Sequence, residues 1–111
     1  MAALVLHTVP VAGGASVTAN LTAASAGGDT APVGPGRVLA VRNADAAPHT
    51  VTIATPGTVS GLAVADAVMP VAAGATSLIP LVAAMRGTDG RAHITYDAVT
   101  AVTVGVFELG T

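Results

Sequence analysis

Polar and apolar residues alternate with period two along most of the chain, and Gly and Pro cut the alternation into short runs. Successive side chains of a β-strand point to opposite faces, so this pattern predicts half-buried strands rather than helices. Residues 4–11 form the first apolar run, which Gly13-Gly14 ends. Residues 16–23 follow, with Val17, Ala19 and Leu21 on one face and Ser16, Thr18, Asn20 and Thr22 on the other, as in a half-buried antiparallel strand. Residues 24–36 read as a loop of small residues, Gly27-Gly28-Asp29 and then Pro32, Gly34, Pro35 and Gly36.

Residues 37–43 are a strand with the apolar centre Val38-Leu39-Ala40-Val41, expected where both faces are covered. Residues 49–55 alternate, with Val51 and Ile53 inward, and the turn at 43–48 predicts a hairpin with the preceding strand. Residues 58–65 suit either a loop or a short strand. Residues 67–71 and 75–81 flank Ala72-Ala73-Gly74 and predict a second hairpin. Pro70 and Pro80 each remove a ladder donor, which places them on edges or at strand ends. Residues 82–85 suit one helical turn, and Thr88-Asp89-Gly90 is a turn. Residues 91–97 and 100–109 are the last strands, Val102, Val104 and Val106 sharing one face and Phe107 lying opposite. The sum is an all-β fold, a single jelly-roll-like β-sandwich of about seven to nine short antiparallel strands.

Composition fits one domain over residues 1–111. Hydrophobic residues reach 52% but aromatics only 2%, Tyr96 and Phe107, so Val, Leu, Ile and Ala must build the core. Charged residues are 9%, with no Lys, so the surface is weakly protected against association. Oligomerisation or assembly is therefore expected. Four scattered Arg residues, Arg37, Arg42, Arg86 and Arg91, make no basic stripe, which argues against nucleic acid. No run of about 20 residues is free of breakers, which argues against a membrane span. Residues 1–11 lack the basic start of a signal peptide. Without Cys there are no disulfides or thiolate metal sites.

Catalytic chemistry finds few ingredients. His7, His49 and His93 show no metal-ligand spacing, and His93 with Asp97 on one strand face reads as a solvated polar pair. Ser60, His49 and Asp66 form a triad only on paper, and no Ser sits in a Gly-x-Ser-x-Gly elbow. Glu108 is the single Glu, and Asp29, Asp45 and Asp89 suit turns. The loop Val33-Gly34-Pro35-Gly36 opens no helix that would hold phosphate. No catalytic, cofactor or metal site is expected, and the protein is read as a non-enzyme.

The stretches Arg37-Val-Leu-Ala-Val-Arg-Asn43, Thr50-Val-Thr-Ile53, Val71-Ala-Ala-Gly-Ala-Thr76, Asp89-Gly-Arg-Ala-His-Ile-Thr-Tyr96 and Val99-Thr-Ala-Val-Thr-Val104 occur in this order. In that order they resemble small virion proteins encoded among the head genes of tailed bacteriophages. The chain departs from them in having Val71-Ala72-Ala73 before Gly74, where Pro often precedes Ala-Gly, and in its extra apolar N-terminal run. The resemblance implies a capsid decoration protein, made in the bacterial host cytoplasm and carried on the outer capsid surface of the virion. It implies a homo-oligomer, often a trimer, bound to the major capsid protein and bridging capsomers, where several modest contacts add by avidity. A head–tail connector or tail protein, or a receptor- or carbohydrate-binding β-sandwich, are the alternatives. Interface candidates are Leu4, Val5 and Leu6 in an arm over residues 1–12, and Arg37, Arg42, Arg86 and Arg91, since Arg suits interfaces and is the only cation besides His.

Overall fold

The computed structural model describes residues 2–109. Its strands, in chain order, are β1 (Ala2–Ala3), β2 (Leu6–Val9), β3 (Thr22–Ala23), β4 (Asp29–Pro32), β5 (Arg37–Asn43) and β6 (His49–Ile53). They continue as β7 (Thr58–Val59), β8 (Leu62–Ala63), β9 (Ala67–Val71), β10 (Thr76–Pro80), β11 (Arg91–Tyr96) and β12 (Val102–Leu109). Single 3₁₀ turns occupy Thr18–Asn20 and Ala83–Met85, the latter where one helical turn was expected.

The fold is all-β. One sheet runs β1-β4-β11-β6-β9, a second runs β10-β5-β12-β2 with β3 also on β12, and β7-β8 stands apart. Alternation explains the layering: Val51 and Ile53 of β6, Ala92 and Ile94 of β11, Leu39 and Val41 of β5, and Val102, Val104 and Val106 of β12 all reach one buried cluster. The molecule is 21 Å across its thinnest direction. Pro70 and Pro80 lie on β9 and β10, the outermost strands of their sheets, where a missing N–H costs no ladder bond.

The sheets are mixed rather than purely antiparallel, because β1 pairs parallel to β4 and β2 parallel to β12. The two expected hairpins are instead crossings between sheets. β5 and β6 lie in different sheets, as do β9 and β10. Both arrangements bury the same alternate positions, so alternation alone does not separate them. What turns the chain out of the sheet is Asn43. Its Oδ1 accepts the Asp45 N–H at 3.0 Å, and its Nδ2 donates to the Ala47 carbonyl at 2.8 Å. The connection is thereby closed on a side chain and no strand ladder is left to continue.

Residues 24–36 hold β4, a strand with Asp29, Thr30 and Ala31 buried between β1 and β11. Its Asp, Gly and Pro content hid it. Residues 16–23 form a 3₁₀ turn and the short β3 instead of one strand. This segment folds over the outer face of β12 at Gly105, where a Cβ would stand 2.9 Å from the Asn20 carbonyl oxygen and 3.0 Å from Leu21. Only glycine lets the two backbones approach so closely. Phe107 is buried beside this flap, its ring 5.7 Å from that of His7.

Residues 58–65, which suited a loop or a strand, form the β7–β8 hairpin with Ser60 and Gly61 both at positive φ, the turn that matches strand twist. Val59 pairs with Leu62, and they are 66% and 72% exposed. The hairpin is an arm between β6 and β9. Its base is pinned by Thr55, whose N–H donates to Asp66 Oδ1 at 3.0 Å and whose hydroxyl donates to the Ala65 carbonyl at 2.7 Å.

Candidate functional site

One cluster of polar groups lies at the connections 44–48, 72–75 and 97–101, which carry the chain between the sheets. Asn43 is fully buried at their centre. Its N–H donates to the Ala75 carbonyl and its carbonyl accepts the Gly74 N–H, while its amide also donates to the Val71 carbonyl at 3.1 Å. The Ala44 N–H donates to the Ala101 carbonyl at 2.9 Å. To this backbone knot the Asn43 side chain adds two donors and an acceptor on a short stem.

His49 opens β6 beside this knot and is 8% exposed. Its Nε2 lies 2.9 Å from Asp45 Oδ2 and its Nδ1 3.2 Å from Asp97 Oδ1. The hydrogen bond to Asp45 raises the His49 pKa above its ordinary value, against partial desolvation, and Asp97 adds to the rise. The same bond lowers the Asp45 pKa, helped by the Ala46 N–H. Backbone hydrogen bonding with Thr50 and Ala98, then His49, lowers that of Asp97. The two carboxylates occupy opposite ring nitrogens and do not converge on a point. Among the described residues no group of three or more His, Asp or Glu side chains is placed to hold a metal ion.

Asp97 is therefore a partner of His49 and not of His93, with which the sequence grouped it. His93 Nε2 lies 3.1 Å from Asp89, whose pKa is lowered first by the Arg91 N–H and then by His93. The paper triad does not assemble: Ser60 tips the arm, Asp66 holds Thr55, and His49 is held by two other acids. Asp29 is a buried organiser. It accepts from the Tyr96 hydroxyl at 2.6 Å, the Ser25 N–H at 3.2 Å and the Ala2 N–H at 3.3 Å. Burial first, then Asp29, raises the Tyr96 pKa. Among the described residues no buried side-chain nitrogen or oxygen lacks a partner.

The interface candidates are divided by the fold. Leu4 is buried in the core, Val5 is 69% exposed and Leu6 packs against the core. Arg91 clamps this segment, donating from Nη2 to the Leu4 carbonyl at 2.8 Å and from Nε to Thr30 Oγ1 at 3.0 Å. Arg37 donates to the Val33 carbonyl at 2.8 Å, with Nε 3.7 Å from Glu108. Arg42 and Arg86 are exposed, and neither makes an ion pair among the described residues. Sequence reasoning missed the arm as a surface and His49 as a bridge. The Ser60-Gly61 dipeptide between Val59 and Leu62 signals the first, and nothing local signals the second, because Asp97 lies 48 residues away.

A groove of about 440 Å³ lies between the N-terminal strands and the 18–23 flap, lined by Ala3, Val5, His7, Thr22 and Gly105 among others. No helix among the described residues is long and apolar enough to cross a membrane. Comparison with protein-family models, with curated proteins and with solved structures returns no match. Function must therefore be argued from residues and geometry.

Proposed function

We propose that the protein is a non-catalytic structural subunit of a virion, bound as a homo-oligomer, in trimers, to the major capsid protein on the outer capsid surface, where it stabilises contacts between capsomers. The observation that carries this reading is the β7–β8 arm. It stands clear of both sheets, has no charged residue from 56 to 65, and exposes Val59 and Leu62 at its end. An isolated two-stranded hairpin is marginal in water, and an apolar tip held out from the body suits insertion into a neighbour. A 9% charge content supports close packing between copies. The polar side chains of Asn43, Asp45, His49 and Asp97 are engaged in hydrogen bonds within the fold, which favours a scaffold over an enzyme. The two sheets are read as layers of a jelly-roll-like sandwich, a reading supported by the repeated passage of the chain from one sheet to the other.

Cryo-electron microscopy of the particle carrying this chain, or of capsids mixed with purified protein, tests the proposal. The expected outcome is ordered density over the outer shell in icosahedral copy number, with the arm at a contact. A bare shell, or density confined to one vertex, would overturn the decoration reading and move the chain to a connector or tail position.

A further inference from the structure

The Asp45–His49–Asp97 bridge joins two separate crossings between the sheets. Asp45 belongs to the connection from β5 to β6, and Asp97 to that from β11 to β12. Each carboxylate takes one ring nitrogen, at 2.9 and 3.2 Å. A neutral imidazole carries one N–H and can donate to only one of them, whereas an imidazolium donates to both. The geometry is thus complete only with the ring protonated and both acids ionised. The neighbouring strand β9 pairs Val71 with His49 and brings no charge. The charged groups acting on His49 are Asp45 and Asp97.

We propose that His49 is a proton-operated latch that locks these two crossings together when protonated and releases them when it loses its proton. Losing the proton leaves one carboxylate facing an acceptor nitrogen lone pair, so one of the two bridges must break. The Ala44 and Asp97 amides report the release, since their bonds to the Ala101 and Thr50 carbonyls span the same crossings. The strand pairs of the core, such as Ile94 with Ile53, lie away from the bridge and stay closed.

The sign follows from linkage. The His49 pKa is raised in the latched state, so the latch is fully engaged below the ordinary imidazole value of 6.5 and is lost as pH rises through the latched value. In that window, opening coupled to one proton grows about tenfold per pH unit. The device does not depend on the virion reading and would operate in any role.

The test is NMR on the full chain: titration of the His49 ring, with amide hydrogen exchange corrected for its intrinsic pH dependence. The expected result is a His49 midpoint above 6.5 and opening at Ala44 and Asp97 that grows about tenfold per pH unit, while Ile94 and Val104 remain far better protected and open only with global unfolding. In Asp97→Asn the midpoint falls, and in His49→Gln the pH dependence at Ala44 disappears. A midpoint at or below 6.5, a flat Ala44 in the native chain, or the same pH dependence in His49→Gln would overturn the latch. Should His49→Gln not fold, the native titration and Asp97→Asn decide the question alone.

Discussion

Asn43 shows how much one polar side chain can hold. It is buried without exposure, yet its amide and carbonyl groups serve three segments: the turn at 45–47, the Val71 carbonyl on β9 and the 74–75 connection. Truncating it to Ala removes the side-chain partner of the Val71 and Ala47 carbonyls and of the Asp45 N–H, and an unsatisfied buried group costs about 1–3 kcal/mol. Asn43→Ala is therefore expected to lose about 2–4 kcal/mol in urea unfolding. Asn43→Asp keeps the acceptor but loses both donors and places a carboxylate against two carbonyl oxygens, so it should cost at least as much. An Asp variant as stable as the native chain would show that the Nδ2 bonds contribute little.

At the scale of elements, the arm and the strands differ in what holds them. β5 and β12 are paired along their length and share a core, whereas β7 and β8 pair only with each other. Val59→Thr with Leu62→Thr should thus leave unfolding stability within about 0.5 kcal/mol, as surface changes usually do. If the tip is buried on assembly, each side chain contributes about 1.5–3 kcal/mol to that contact. The double variant should then bind capsids, or associate with itself, at least tenfold more weakly, measured by sedimentation or co-pelleting. Unchanged association would remove the arm from the interface. The same contrast explains what was legible in the sequence. Strands β6 and β12 announce themselves by alternation, β5 by its apolar centre, and β9, β10 and β11 as runs bounded by the turns at 72–74 and 88–90. β4 did not, since Asp29 and Thr30 are buried through hydrogen bonds to distant partners such as Tyr96 and Arg91, which no local pattern encodes. Which strands pair was likewise hidden: hairpin and crossing bury the same residues, and the choice rests on Asn43 meeting carbonyls 4 and 28 residues away. The His49 bridge was invisible for the same reason.

At the scale of the whole molecule, charge and the latch act over the same pH range. With a net charge of −2 at pH 7 and an isoelectric point near 5.7, the chain has little repulsion between copies in mild acid. The latch is strongest there. The Asp45 and Asp97 pKa values are lowered, so their contribution is present above the ordinary 3.8 and is lost as pH falls through the folded values. The His49 contribution is present below 6.5 and lost as pH rises. Thermal stability should therefore be highest between about pH 4 and 6.5 and decline on both sides, while light scattering from association peaks near the isoelectric point. The two curves separate in Asp97→Asn, which removes one acid from the bridge: the stability maximum flattens, but association persists and its peak shifts slightly upward with the lost negative charge. Calorimetry and light scattering on both proteins across pH 3–9 check this. A stability maximum that tracked the scattering peak in both would mean that association, rather than the His49 bridge, sets the pH dependence.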